Sequence, residues 1–331
     1  MTDDTRPLWS PGSGRSAMCL IGMHRSGTSL AARVLSLLGV SLGAPEGLLP
    51  PGPDNPAGYW ENKSIQEFDD ELLAALGGAW DQPPLLAPGW PADAELAPFR
   101  DRARQILDTD FALDGTPAAD ARWIGFKDPR VSLLLPFWRT VLDIGTTIVV
   151  VRDPREVAGS LATRNDIDPA QAATLWMRYL FAATAADPGH LLLTHRQLFD
   201  DLDATVAQMT SHLGLPEPDA DVQAAIAAHV DPDLRHHQAQ GPRPDPNPVM
   251  ELALTVWDDG RPDLTALSPT LIDAIGQGWL RPAADGEVVA AARAEAVSFK
   301  EQLKRRNEKV RALEAALQAK AAEAGRPAEA G

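Results

Sequence analysis

A short glycine- and hydroxyl-rich stretch between an apolar run and an amphipathic run constrains the fold of this chain more than any other feature. The apolar run, AMCLIG at 17–22, predicts a buried parallel strand. Residues 27–39 place leucine and valine side chains at helical spacing and end on Gly39, which predicts a helix and its stop. The stretch between them is therefore predicted to be the loop of a strand–loop–helix unit.

The same alternation of strand and helix continues along the chain. Further strands are predicted at 122–127, 146–151 and 190–194, and helices at about 61–77, 99–113, 154–163, 169–186 and 196–213. Segments 44–58 and 81–98 are rich in proline and glycine and are predicted to be irregular. This order of elements predicts an α/β fold, a three-layer phosphate-loop-type domain around a central parallel sheet.

The two ends of the chain differ from its middle. Residues 1–16 are predicted to be a disordered lead-in, 17–283 one domain, 284–324 a C-terminal helix and 325–331 a disordered tail. Within the domain, 231–248 contains five prolines and is predicted to be an extended loop. The tail helix repeats an apolar residue every seven positions, at Leu303, Val310 and Leu317. That spacing predicts a short coiled coil, through which copies of the chain would form a homo-oligomer.

Composition narrows the range of functions. The 331 residues carry a formal net charge of -16, which argues against nucleic acid as a partner because such binding needs a basic surface. The single cysteine, Cys19, cannot form an intrachain disulfide, and this fits a reducing compartment. No apolar run of signal-peptide or transmembrane length is found in the sequence, so we expect a cytoplasmic protein without a membrane span.

The loop after the first strand has the residues of a phosphate site. Backbone N–H groups in such a turn point to one spot, where the positive end of the helix dipole adds to the attraction. Gly27 permits a close approach of the backbone, and Arg25 supplies a charge. The predicted anion-binding residues are His24 (through its backbone N–H), Arg25, Ser26, Gly27, Thr28 and Ser29. Thr28 occupies the position where nucleoside triphosphatases carry a lysine, which argues against that class.

A second anion site is predicted at the end of the third strand. Arg152 ends that strand, and Ser160 follows eight residues later inside the next helix. Ligands of open α/β sheets bind at the carboxyl ends of the strands. Arg152 is therefore expected to face the same ligand as the loop of Arg25.

These two segments resemble sulfotransferases. GMHRSGTSL is similar to the loop of that family that binds the 5′-phosphosulfate, and VVVRDPREVAGS is similar to its 3′-phosphate site. The resemblance implies 3′-phosphoadenosine 5′-phosphosulfate (PAPS) as the sulfuryl donor, adenosine 3′,5′-bisphosphate (PAP) as the product, and no metal. It further implies that Arg25 and its loop hold the 5′ end of the nucleotide, while Arg152 and Ser160 hold its 3′-phosphate.

Candidate catalytic residues follow from the chemistry of sulfuryl transfer. A fixed cation at the leaving oxygen stabilises the transition state, and Lys127 in GFKDPR ends the second predicted strand. This segment resembles the Lys-Asp-Pro segment of tyrosylprotein sulfotransferases, in which the lysine has that role. The acceptor also needs a general base. Glu46, Glu61 and Asp128 all remain candidates for it.

The sequence leaves the acceptor and two other functions open. The acceptor is expected to be a small molecule or a glycan that carries a hydroxyl or amine. A sugar, a lipid, a peptide and a small metabolite all remain open. A phosphate-loop kinase for a small molecule is the first alternative function. A non-catalytic nucleotide-binding scaffold that assembles through the C-terminal helix is the second.

Overall fold

The computed structural model describes residues 16–52, 55–111, 123–230, 247–258, 260–276 and 278, and scattered helical positions between 287 and 309. Four parallel strands form one sheet in the order β2-β1-β3-β4. They are β1 (Ser16–Ile21), β2 (Trp123–Lys127), β3 (Ile144–Val151) and β4 (Leu191–Thr194). The expected α/β fold with a central parallel sheet is therefore confirmed.

Helices connect the strands, and a small hairpin follows them. The helices are α1 (Thr28–Leu37), α2 (Lys63–Ala75), α3 (Ala97–Asp110), α4 (Val131–Trp138), α5 (Pro154–Asn165), α6 (Pro169–Ala186), α7 (Gln197–Asp200), α8 (Leu202–Leu213), α9 (Ala220–His229), α10 (Pro248–Val256) and α11 (Pro269–Gly276). Strands β5 (Trp257–Asp258) and β6 (Arg261–Pro262) pair antiparallel. Short 3-10 turns lie at Pro45–Gly47, Trp90–Ala92 and Ala94–Leu96.

The sheet is buried on both faces, which is why its strands read as continuous apolar runs. In β1, Ala17, Cys19 and Ile21 belong to one core, and Met18 and Leu20 belong to the other. Successive strand residues point to opposite faces, so each core takes every second side chain. Helices α2 to α6, α10 and α11 pack on the first face, and α1 with α7 to α9 pack on the second. The result is the predicted three-layer arrangement.

The strand order creates a crevice at one edge of the sheet. The chain passes from β1 to β2 on one side of β1 and then returns to place β3 on its other side. At such a reversal the connections that leave neighbouring strands diverge, and ligands bind outside the carboxyl ends of the strands. Lys127 ends β2, the loop 22–27 follows β1, and Arg152 follows β3. All three therefore meet at this edge.

Two helical segments differ from the sequence-based prediction. The prediction of a single helix at 196–213 is wrong, because Asp201 adopts a non-helical backbone conformation (φ −150°, ψ 63°) that separates α7 from α8. The hydroxyl of Thr205 donates to the carbonyl oxygens of Asp201 (2.7 Å) and Gln197 (3.1 Å), which satisfies backbone groups at the break. Helix α4 was not predicted, because it is buried on nearly all sides and its sequence VSLLLPFW shows no helical periodicity.

Several predictions fall outside the described residues. These are the lead-in predicted at 1–16 except Ser16, which begins β1 instead, most of the loop at 231–248, the Leu303, Val310 and Leu317 positions of the expected coiled coil, and the tail at 325–331. Within the described part of the chain, none of the helices has the length and apolar character needed to cross a bilayer.

Candidate active site

The loop between β1 and α1 has a strained backbone that only a few residue types tolerate. Arg25 (φ 68°) and Gly27 (φ 91°) both lie in the left-handed region. A Cβ atom at Gly27 would stand 2.4 Å from Cδ2 of His195, and one at Gly22 would stand 2.2 Å from the carbonyl oxygen of Val150. Strained conformations of this kind persist where the surrounding structure enforces them, commonly at functional sites. Glycine is therefore required at two positions of this loop.

The loop leads directly into the amino end of α1. Gly27 is the N-cap residue, and Thr28 begins the helix. The hydroxyl of Ser26 is buried and has no hydrogen-bond partner among the described residues. Backbone N–H groups and hydroxyls at a helix amino end form an anion site. The loop therefore leads into a helix amino end as the sequence predicted, and the binding of an anion there stays a prediction.

The two predicted anion-binding segments are in direct contact. Nε of Arg25 donates to the hydroxyl of Ser160 at 2.9 Å, and Nη1 of Arg152 donates to the carbonyl oxygen of Arg25 at 3.3 Å. Arg152 also pairs with Glu156 one helical turn later (2.7 Å). The structure thus brings Arg25, Arg152 and Ser160 to one place, although 135 residues separate the first from the last.

Lys127 lies between the phosphate loop and an irregular segment. Its ammonium group is almost fully buried, with 2% of the side chain exposed. It donates to the hydroxyl of Ser29 (3.2 Å) and to the carbonyl oxygen of Tyr59 (3.1 Å), and it forms an ion pair with Oε1 of Glu61. The second carboxyl oxygen of Glu61 accepts no hydrogen bond from the described residues. Lys127 and Glu61 therefore form a cation–carboxylate pair with one oxygen left for a further donor.

The other two candidate bases lie elsewhere. Glu46 is exposed in the 3-10 turn Pro45–Gly47 and lines a separate, largely apolar cavity beside Phe111. Asp128 is buried and accepts from the backbone N–H (2.7 Å) and Nη1 (3.2 Å) of Arg130. Burial raises the pKa of Asp128 to about 6. Glu61 is therefore the one of the three that stands beside Lys127, while Asp128 positions Arg130.

The side chain of His24 occupies a position that the sequence did not predict. Its ring lies 4.5 Å from the ring of Trp80 and 5.7 Å from that of Tyr179. Its Nε2 is buried and has no hydrogen-bond partner among the described residues. Burial lowers the pKa of His24 well below its ordinary value, and the neighbouring arginines and Lys127 lower it further. The imidazole is therefore neutral at neutral pH.

One cavity unites these groups. Its lining includes the loop, the Lys127–Glu61 pair, Arg152 and Ser160. It also includes residues that sequence reasoning missed, namely Leu30, Tyr59, Trp60, Arg164, His195, Phe199 and His229. His195 could have been found, because it directly follows β4 and so lies at the same sheet edge. The residues from distant loops and helix ends have no such signal in the sequence.

The charge of this cavity is opposite to that of the chain. Arg25, Lys127, Arg152 and Arg164 line it, and Glu61 is the only acidic residue among its described lining. The whole chain has a formal net charge of -16. A local cluster of cations in an acidic protein favours a multiply charged anion at this place. Among the described residues, no group of three His, Cys, Asp or Glu side chains is arranged to hold a metal ion.

Comparisons with known proteins give matches to solved structures only. No family model and no curated protein matches this chain. A sulfotransferase from Mycobacterium tuberculosis aligns at 19% identity and a TM-score of 0.38, covering 65% of this chain and 71% of that one. The sulfotransferase domain of a Synechococcus olefin synthase aligns at 17% identity and a TM-score of 0.40, covering 76% and 98%.

Both of these structures are sulfotransferases. A third is a retinol dehydratase in complex with androsterone and the inactive cofactor PAP, at 14% identity and a TM-score of 0.31, covering 65% of this chain and 64% of that one. Likeness of this degree assigns no reaction to the chain, so the chemistry has to follow from its own side chains.

Proposed function

We propose that this chain is a sulfotransferase that moves a sulfuryl group from PAPS to an acceptor hydroxyl or amine. One observation carries the proposal. Arg25 hydrogen-bonds Ser160, Arg152 hydrogen-bonds the backbone of Arg25, and both arginines line the same cavity as Lys127. Two basic anion-binding segments and a third buried cation in one cavity fit a nucleotide that carries an anion at each end.

The residues of the cavity fit this donor. The lining residues Thr28 and Ser29, which carry hydroxyls, and the constrained backbone of Gly27 suit the 5′-phosphosulfate end. Arg152 and Ser160 suit the 3′-phosphate, since a guanidinium donates two parallel hydrogen bonds to such a group. When bound, the donor supplies the sulfuryl group, and its bridging oxygen leaves with the nucleotide.

Lys127 and Glu61 have complementary tasks in this proposal. Lys127 holds a positive charge in a nearly dry site, where it stabilises the negative charge that develops on the leaving oxygen. Glu61 takes the proton of the acceptor hydroxyl through its second carboxyl oxygen as the new oxygen–sulfur bond forms. The proton thus passes to Glu61, and the electron pair of the broken bond passes to the nucleotide.

The residues of this cavity fit a phosphate-loop kinase less well than a sulfotransferase. The loop lysine that nucleoside triphosphatases use on the outer phosphates is replaced by Thr28. The buried cation instead comes from β2, as Lys127. The described lining residues offer Glu61 as their only carboxylate, and that carboxylate is bound to Lys127.

Calorimetric titration tests the nucleotide assignment. We expect PAP to bind the wild-type protein and to bind at least about tenfold more weakly after Arg25→Ala, because a charge-assisted contact of about 1.5–3 kcal/mol is lost. Arg104→Ala is the matched control, since this arginine lies on α3 and pairs with exposed Asp101. Equal or tighter binding of ATP with magnesium would favour a kinase instead.

The rate of PAPS conversion to PAP in the presence of an acceptor tests the base. Glu61→Gln is expected to lower this rate by about 100-fold or more while PAP affinity changes little, because general-base catalysis contributes about 10²–10⁴-fold. Glu46→Gln should leave the rate unchanged, since Glu46 lines a different cavity. The reverse ranking of the two variants would exclude Glu61 as the base.

A further inference from the structure

A second cavity adjoins the first on the side of the Lys127–Glu61 pair. The two cavities share five lining residues, which are His24, Arg25, Tyr59, Glu61 and Arg164. In an in-line displacement the acceptor approaches sulfur from the side opposite to the leaving oxygen. If the nucleotide fills the first cavity, the acceptor must therefore reach Glu61 from another direction, and the second cavity opens there.

The lining of this second cavity is polar and predominantly basic. Besides the shared residues it includes Gln66, Trp80, Arg130 and Asn165. Three arginines stand against one glutamate among these residues, and that glutamate is bound to Lys127. Arginine and the amide N–H groups are hydrogen-bond donors, so they favour a ligand rich in acceptor oxygens.

The three arginines differ in their exposure to solvent, because Arg130 is buried, Arg25 is half-buried and Arg164 is exposed. Arg130 is held by Asp70 (2.5 Å) and Asp128 (3.2 Å), so its charge is balanced within the protein. Arg25 belongs to the anion site of the first cavity through Ser160. Arg164 lies at the exposed end of α5, and its guanidinium stands 6.0 Å from the ring centre of Tyr59. Arg164 also lines the first cavity, and as the most exposed of the three arginines it lies at the rim of the second.

An apolar acceptor would be placed elsewhere. A larger cavity lies beyond Trp60 and is lined by apolar residues such as Val40, Leu42 and Phe111. It shares Ala57, Gly58 and Trp60 with the first cavity, but neither Lys127 nor Glu61 lines it. A hydrophobic molecule bound there would not present its hydroxyl to the base. The geometry thus separates polar from apolar acceptors.

We propose that the second cavity is the acceptor site and that it selects a small hydroxylated acceptor that already carries a carboxylate or phosphate. The hydroxyl to be sulfated faces Glu61, and the acidic group binds at the rim to Arg164. This inference rests on the proposed sulfotransferase function. It adds the acceptor class, which neither the loop nor the 3′-phosphate segment specifies.

Binding of probe molecules to the PAP-saturated protein tests this inference. Saturation with PAP occupies the first cavity, so that added anions report on the second. The probes are glucuronate and glucose 6-phosphate, each compared with neutral glucose by calorimetry at a fixed salt concentration. We expect at least one acidic probe to bind about tenfold or more tightly than glucose, because one charge-assisted pair is gained.

Two variants decide whether Arg164 is responsible. Arg164→Gln should reduce the preference for the acidic probe to less than about threefold, whereas Arg104→Gln removes the same charge from α3 and should leave it unchanged. The inference is overturned if glucose binds as well as both acidic probes, if neither acidic probe binds, or if Arg164→Gln has no effect. Failure of PAP itself to bind is a different result, and it would remove the proposed function together with this inference.

Discussion

Replacement of Ser160 by alanine tests the geometry of the site most directly. Ser160 is 2% exposed, and its hydroxyl accepts the 2.9 Å hydrogen bond from Nε of Arg25. In the proposed complex the same hydroxyl donates to the 3′-phosphate. Its loss removes one hydrogen bond to a charged group, which contributes about 1.5–3 kcal/mol. PAP should therefore bind about 10- to 150-fold more weakly to Ser160→Ala.

A comparison of two nucleotides by calorimetry separates this effect from a general disturbance. Adenosine 5′-monophosphate lacks the 3′-phosphate, so its affinity should fall by less than about threefold in Ser160→Ala. Thr163→Ala is the matched control, because Thr163 lies on the same helix, is exposed, and donates only to the carbonyl oxygen of Gly159. An equal loss of affinity for both nucleotides, or no loss for PAP, would refute the assignment of the 3′-phosphate to Ser160.

Two further predictions concern the backbone of the loop and the buried acid. Gly27→Ala should destabilise the protein by about 2–3 kcal/mol in chemical unfolding and weaken PAP binding, because the new methyl group meets His195 and the backbone is left-handed. Gly39→Ala has nearly the same φ but nothing within 4 Å, so a cost of about 1 kcal/mol and unchanged PAP binding are expected, and equal costs would disprove the steric argument. The pKa of Asp128 is raised by burial to about 6, so the folded state holds a proton that the unfolded chain releases near its ordinary value. The contribution of this group to the free energy of unfolding should therefore fall by up to about 3 kcal/mol as pH rises from about 4 to about 6, while the buried His24 contributes in the opposite direction. The test is the difference in the free energy of unfolding between the wild type and Asp128→Asn in urea titrations, which should decrease over this range; a difference that does not change with pH would contradict this.

The sheet was predictable because its strands carry their own signal. A β-branched run such as TTIVVV strongly favours a buried strand. The carboxyl ends of parallel strands meet at one edge of a sheet, so Lys127 and Arg152, which lie at the ends of two strands, were expected at the same edge. The contact of Arg25 with Ser160 follows from that placement and from the left-handed turn. Local sequence patterns thus predicted where the anion-binding segments meet.

The pairing of Lys127 with Glu61 could not be predicted in the same way. Glu61 lies 66 residues before Lys127, at the end of an irregular segment. The path of that segment depends on tertiary contacts, which local sequence patterns do not indicate. Glu46 was a candidate base as well, but it lies in a 3-10 turn and lines another cavity. Helix α4 was not predicted for a different reason, because a helix that is buried on nearly all sides lacks the polar face by which a sequence indicates a helix.

The cations of the proposed nucleotide cavity lie in a strongly acidic chain. These local cations and the net charge of the chain act over different distances. The net charge of -16 repels a tetra-anionic nucleotide over a Debye length of about 10 Å at 0.1 M salt. The contacts with Arg25, Arg152 and Lys127 would act at bonding distance inside a partly dry cavity, where salt screens them far less. If PAPS binds as proposed, we expect its association rate to rise with salt concentration, while its dissociation rate changes little. The net charge would then lower the rate of association without shortening the lifetime of the complex.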